Sequence, residues 1–286
     1  MTTLRTTFTF LLWLAAGLMA RCEQADVRVI SQTVGTDELL LALAEPSQIA
    51  ALSHLSREAV YCAVADEAKN YPQLSATCDL EGALKFRPTL ILCANYSRIE
   101  LVTQARRAGL KVIVFEKYRT IEDSYGNLRL LARELGPVAE AKAERIIANC
   151  EWRIADLHKR LEGAKPVRVI APSTYGIIPG DDSTFQDLCD HAGAENLAFT
   201  LGKLHGHAAP PNEQMLAWPV DRVVLSGDNA EKALSVFRTI PPYQYMTAVK
   251  EGRVALLKHY QLSCVTHYRI AGYEQLARAL HPECFP

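Results

Sequence analysis

Short β-branched runs alternate with stretches of helical period along most of the chain. Val27-Arg28-Val29-Ile30, Thr89-Leu90-Ile91-Leu92 and Lys111-Val112-Ile113-Val114-Phe115 read as strands of a first half. Val167-Arg168-Val169-Ile170, Asp221-Arg222-Val223-Val224-Leu225 and Arg253-Val254-Ala255-Leu256-Leu257 read as strands of a second. Between them, residues 37–44, 97–108, 121–135, 184–192, 231–238 and 268–280 carry helical patterns. Strands that alternate with helices predict an α/β fold of mainly parallel sheets with helices packed on both faces.

One stretch breaks the rhythm. Between residues 137 and 161 there is a proline in the first turn, no glycine, and charge throughout. Ala143, Ile147, Cys150, Ile154, Leu157 and Leu161 recur every three or four positions. The pattern predicts one helix of roughly 25 residues, about 37 Å long, ended by Gly163 and blocked by Pro166. Its place midway between two α/β halves makes it a rigid connector. The halves also echo each other. Val27 to Ile30 recurs as Val167 to Ile170, and Glu81-x-x-Leu84 before Thr89 recurs as Glu213-x-x-Leu216 before Asp221. Lys111-Val112 through Tyr118 matches Arg253-Val254 through Tyr260. Three echoes in the same order predict two similarly wound lobes. The expected division is a signal peptide over residues 1–25, an N-terminal lobe over 26–136, a connecting helix over 137–163 and a C-terminal lobe over 164–286.

The start of the chain sets the compartment. Arg5 precedes an apolar run over residues 8–20 that is interrupted only by Thr9, the form of a secretory signal's h-region. Leu18-Met19-Ala20-Arg21-Cys22 has the outline of a lipoprotein signal with Cys22 as the acylated residue, but Arg21 is not the small residue such signals carry before the cysteine. Cleavage after Ala20 or after Ala25 competes with it. Export to the periplasm is expected, with the membrane reached only through a partner or through a lipid on Cys22. About 260 residues remain, which suits two lobes better than one core. Lys+Arg 31 against Asp+Glu 32 gives a net charge of -1, and nucleic-acid binders normally carry a basic excess. Eight cysteines in an exported chain can persist as disulfides, and no spacing among them is of zinc-site type. Cys62 and Cys78 flank a short polar loop and are close enough in sequence to pair. A closed loop of about 16 residues would contribute roughly 3 kcal/mol. Cys93, directly after an apolar strand, reads as a buried thiol.

Several segments together resemble one family. Gly35-Thr36-Asp37-Glu38-Leu39-Leu40-Leu41-Ala42-Leu43 followed by Ile49-Ala50-Ala51-Leu52-Ser53 is similar to the opening of the periplasmic solute-binding proteins for vitamin B12 and ferric siderophores, the helical-backbone class III. Leu80-Glu81-x-x-Leu84 with Arg87-Pro88-Thr89-Leu90-Ile91-Leu92 continues the match, as does Ala108-Gly109-Leu110-Lys111-Val112. So do Asp187-Leu188-Cys189, Gly193-Ala194-Glu195-Asn196-Leu197 and Glu251-Gly252-Arg253-Val254. The resemblance implies two three-layer α/β/α lobes joined by one long connecting helix, with little hinge bending. It implies an ABC permease and its ATPase as partners, a small-molecule ligand, a monomer, no cofactor and no catalysis. It implies docking on the importer through one glutamate per lobe, at Glu81 and Glu213. Each is also placed where a helix N-terminus favours a carboxylate. The family's habit of tying one helix to the C-terminal region implies Cys189 with Cys284, with Cys264 an equal competitor.

In open α/β sheets ligands bind beyond the carboxyl ends of the strands. That rule selects Gln32, Thr33, Asn95, Tyr96, Lys117 and Tyr118 in the first lobe, and Thr174, Tyr175, Ser226 and Tyr260 in the second, with the loop carrying His205 and His207. Four tyrosines at strand ends offer flat faces with polar tips, suited to a planar or chelated ligand. His205 and His207 either reach an open position on a chelated metal or form an ordinary polar loop. The expected cargo is a metal chelate, corrinoid or ferric siderophore. Haem is the alternative, as is a bare metal ion, although a bare ion needs three or four convergent ligands that this loop does not supply. There is no G-x-S-x-G, G-x-G-x-x-G, Walker or H-E-x-x-H motif. Asp181-Asp182, between Pro179-Gly180 and Ser183, reads as a turn into a helix cap rather than a catalytic pair.

Overall fold

The computed structural model describes residues 27–286, so the expected signal peptide and Cys22 lie outside the described residues. The first lobe holds strands β1 (Val29–Ser31), β2 (Ile49–Ala51), β3 (Leu90–Ala94) and β4 (Lys111–Phe115). Its helices are α1 (Val34–Leu43), α2 (Ala65–Ala68), α3 (Leu80–Leu84), α4 (Ile99–Arg107) and α5 (Ile121–Leu135). Helix α6 (Pro137–Arg160) follows. The second lobe holds β5 (Val167–Ile170), β6 (Ile178–Pro179), β7 (Ala194–Asn196), β8 (His207–Ala208), β9 (Arg222–Ser226) and β10 (Val254–Leu257). Its helices are α7 (Thr184–Ala192), α8 (Leu197–Thr200), α9 (Ala230–Ser235), α10 (Thr247–Lys250) and α11 (Ile270–Leu280).

Each lobe is built on a four-stranded sheet, in the order β2-β1-β3-β4 and β7-β5-β9-β10. Every pairing within these sheets is parallel. The two orders are the same winding, with β5, β7, β9 and β10 standing for β1, β2, β3 and β4. The repeated sequence segments are therefore equivalent strands. β6 and β8 form a separate antiparallel ribbon.

Strand parity decides the layers. Val29, Leu90, Leu92, Ile113 and Phe115 point to one face and join the largest apolar cluster, with Leu128, Leu131, Ala143 and Ile147. Their neighbours Ile30, Ile91 and Cys93 point to the other face, against Val102 and Ala105 of α4. The second lobe repeats this. Val169, Val224, Ala255 and Leu257 belong to the large cluster, while Ile170, Val223 and Leu225 pack with Leu234 and Phe237. The large cluster runs through both lobes and through α6, so the inner faces of the two sheets share one continuous core.

Helix α6 has the sequence cause expected of it. Gly136, at φ 109°, turns the chain out of α5, Pro137 occupies the first turn, and the helix caps at Leu161. Gly163 follows at φ 80°, a left-handed conformation that glycine adopts without strain. Only Ala139, Ala143, Ile147, Cys150 and Leu157 are buried, one stripe on an otherwise wet helix.

A second connection crosses between the lobes. Arg269, 2 % exposed, donates from Nη1 to Asp187 Oδ2 at 2.7 Å and to the carbonyl of Arg119 at 2.7 Å. Its Nη2 donates to the carbonyl of Tyr118 at 2.7 Å. Asp187 Oδ1 accepts from the Ile121 amide at 3.2 Å, and Asp187 Oδ2 accepts from the Tyr273 hydroxyl. A buried ion pair of the second lobe thus holds the start of α5 in the first. At the surface, Arg119 also pairs with Asp182.

Candidate ligand-binding crevice

Thr33 caps α1 through a reciprocal hydrogen-bonded box with Thr36, and this tight turn brings Gln32 and Thr33 to the open end of β1. The loops after β1, β2 and β3 enclose a cavity of roughly 380 Å³. Gln32, Thr33, Ser53, His54, Tyr61 and Tyr96 contribute from the first lobe, and Ser263, Cys264 and Val265 close it from the second. The second-lobe loop comes in closely, because a Cβ on Gly35 would meet Val265 Cγ2 at 2.5 Å. A second cavity of roughly 590 Å³ opens at the ends of β5 and β9, with Thr174, Tyr175, Ser226, Lys232 and His259 among its walls. Leu262 belongs to this cavity and Ser263 to the other, so the segment after β10 runs past both, and the two together are taken as the crevice.

The crevice is aromatic and open. Tyr61, Tyr96 and Tyr175 are 55 %, 60 % and 88 % exposed, and large apolar groups left to water in this way mark binding surfaces. The Tyr118 ring packs edge-on against Tyr96, with centroids 5.8 Å apart. Its hydroxyl donates to Asn95 Oδ1 at 2.9 Å, so Asn95 and Tyr118 support Tyr96 from behind. Gln32, whose side chain lines the cavity, has its Nε2 buried without a hydrogen-bond partner among the described residues.

Two carboxylates underlie the first cavity. Asp37 accepts from the amide and hydroxyl of Ser53. Glu38 accepts from the Ala63 amide at 2.8 Å and, across the lobe boundary, from the Thr266 hydroxyl. Burial pushes each up to about 7, against the hydrogen bonds that favour the charged form.

Gln32, Thr33, Tyr96 and Tyr175, expected from strand ends, do line the crevice, as do Thr174 and Ser226. Tyr260 does not. After β10 the chain enters a 3₁₀ turn over His259–Leu262, where His259 lines the crevice and Tyr260 faces a pocket beside α6. Neither His205 nor His207 lines either cavity. His205 bridges to Asp181 in the backbone and sits 3.4 Å from Asp182 Oδ2, while His207 is in β8 opposite Pro179. Among the described residues no three His, Cys, Asp or Glu side chains gather to hold an ion. Asp182 and Ser183 form the expected turn and cap, with Ser183 Oγ accepting from the Gln186 amide at 3.1 Å.

The cysteine pairings are corrected. Cys62, Cys78, Cys189 and Cys284 are all free thiols, as are Cys93, Cys150 and Cys264. Cys78 packs with Ile30, Ala50 and Ile91 behind the first sheet, whereas Cys62 belongs to the loop whose next amide, that of Ala63, binds Glu38 at the lobe boundary. Cys189 is buried in the core face of α7, while Cys284 is half-buried in the last turn. Cys93 is the buried thiol expected of it.

Two parallel α/β lobes, one connecting helix and a crevice at the strand ends are the architecture of a bilobal binding protein. The chain belongs to the periplasmic binding protein family, whose pattern matches residues 29–260. Its fold is shared with the periplasmic heme-binding protein RhuT from Roseiflexus sp. RS-1, at a TM-score of 0.77 and 18% identity over 91% of this chain and 100% of that one. It is shared with the periplasmic heme-binding protein HutB of Vibrio cholerae, at 0.73 and 19% over 92% and 100%. Helicobacter pylori CeuE with Ni(II) bound gives 0.69 and 16% over 91% and 86%. No curated protein matches the sequence.

Proposed function

We propose that this protein is the extracytoplasmic binding component of an ABC importer and captures a flat metal chelate in the crevice between its lobes. One observation carries the reading: Tyr61, Tyr96 and Tyr175 stand exposed around a crevice at the carboxyl ends of both sheets. A chelate brings its own equatorial donors, so the site needs only one or two more. His54, His259 and the phenols supply donors of the type that take open axial positions. The heme-binding proteins of the same fold favour haem over the corrinoid and siderophore chelates. Within this reading Glu81 and Glu213 dock on the permease. Glu81 is at the start of α3, with Lys85 Nζ at 3.9 Å, and Glu213 is exposed ahead of the 3₁₀ turn Gln214–Ala217.

The test is a visible-absorption titration of the mature protein with hemin, cobalamin and a ferric hydroxamate, each alone. Hemin should bind at or below micromolar concentration with a shifted Soret band. Tyr96→Ala combined with Tyr175→Ala should weaken it at least tenfold, about 1.4 kcal/mol. Failure of all three chelates to bind, or a double variant that binds as well as the parent, would sink the reading.

A further inference from the structure

The face of the molecule formed by α6 carries a cavity of roughly 510 Å³ that takes no part in the crevice. Three bodies meet there: Ala42 and Ala63 of the first lobe, the middle of α6, and Tyr260, His267 and Tyr268 of the second. Its charge is of one sign. Lys142, Arg145 and Arg153 line one side, at spacings of three and eight that put them on one helix face. Lys142 is held by Glu45 at 2.8 Å and Arg153 by a two-pronged pair with Glu274. Arg145 has no acidic partner among the described residues, and its Nε donates only to the Ala141 carbonyl of its own helix, at 3.3 Å.

The opposite wall is largely aromatic. The rings of His267 and Tyr268 lie with centroids 4.1 Å apart, and Ile146 and Ala271 complete the lining. His267 is 7 % exposed, yet its Nδ1 is buried without a hydrogen-bond partner. A buried polar atom left unpaired is unfavourable, and here it belongs to a side chain that lines the cavity. Burial and the nearby Arg153 push the imidazole down to about 4, so it is neutral and keeps both a donor and an acceptor.

We propose that this flank pocket is a second binding site, for a small organic anion that carries a flat apolar body. Arg145 and Lys142 receive the acidic head, the neutral His267 satisfies a polar group on the body, and Ile146 and the tyrosine rings cover its faces. The site is distinct from the crevice, because none of its lining residues lines either crevice cavity.

Two dyes matched in shape test this: anilinonaphthalene sulfonate, which is anionic, and phenylnaphthylamine, which is not. Fluorescence titrations use the mature protein with Arg145→Glu, Ile146→Trp and, as a crevice control, Tyr96→Ala. Arg145 is exposed, so melting followed by circular dichroism should show that variant as stable as the parent. The anionic dye should lose about tenfold in affinity in Arg145→Glu and in Ile146→Trp, and nothing in Tyr96→Ala. The neutral dye should bind the parent more weakly and ignore Arg145→Glu. An anionic dye indifferent to Arg145→Glu, or weakened by Tyr96→Ala instead, would overturn the proposal.

Discussion

Glu38 shows how one side chain links stability, lobe contact and pH. It lines the first cavity, and its carboxylate is reached by groups of both lobes, the Ala63 amide and the Thr266 hydroxyl. Removal from water raises its pKa from 4.5 to about 7, because the charged form loses more solvation than three donors return. The sign follows from linkage. Between about pH 4.5 and 7 the unfolded chain releases a proton that the folded protein keeps, so stability falls as pH rises through that window and is level above it. The upper bound from this one group is on the order of 3 kcal/mol. Asp37, also raised, adds in the same direction, whereas His267, buried neutral, destabilises the fold as pH falls below its ordinary range. The comparison must therefore be between variants. Glu38→Gln removes the titration, so the parent should lose stability relative to it between pH 5 and pH 8, as read by urea unfolding at each pH. Parallel profiles would mean that Glu38 stays ionised throughout.

At the scale of elements, α3 and the turn after Glu213 occupy matching places ahead of β3 and β9, which gives the docking proposal its geometry. Both carboxylates are exposed and lie outside the crevice lining. Glu81→Lys with Glu213→Lys should therefore abolish uptake in cells while hemin affinity of the isolated protein stays within about twofold, since rim charges steer association more than they bind. Lost affinity would move them into the binding site. The same elements explain what the sequence could disclose. β4, β5, α5 and α7 match their predicted bounds, because apolar runs and capping residues mark them locally. β2 and β7 were invisible: each has three residues at a sheet edge, and Ala194-Glu195-Asn196 is largely polar. Missing β2 also hid its carboxyl end, and with it Ser53, His54 and Tyr61. The histidine after β10 was missed for another reason. Strand parity does not survive into a 3₁₀ turn, which rotates successive side chains by about 120° rather than reversing them. The His205 loop and the thiols needed partners that spacing does not reveal.

For the whole molecule, the question is what keeps two lobes at one angle. A single helix resists bending but does not by itself fix the twist about its axis. The Arg269–Asp187 pair supplies the second constraint, one short turn along the chain from the Glu38–Thr266 contact. It is buried on both partners, at 3 % and 5 % side-chain exposure, so solvent screens it little. The surface pair Arg119–Asp182 nearby is half-exposed and adds at most about 1 kcal/mol. Arg269→Met would strand Asp187 as a buried charge and free the carbonyls of Tyr118 and Arg119, at a cost of about 3–5 kcal/mol. Because those carbonyls position Tyr118 against Tyr96, the variant should also lose hemin affinity without any change to a crevice residue. Arg269→Met with Asp187→Leu should recover part of the stability, since no unpaired charge remains although the Ile121 amide and the Tyr273 hydroxyl lose their acceptor, but not the affinity, since the Tyr118 loop is still untethered. Urea unfolding and hemin titration of the three proteins decide it. A single variant within about 1 kcal/mol of the parent, or full recovery of binding in the double variant, would show that the Arg269–Asp187 pair does not set the lobe angle.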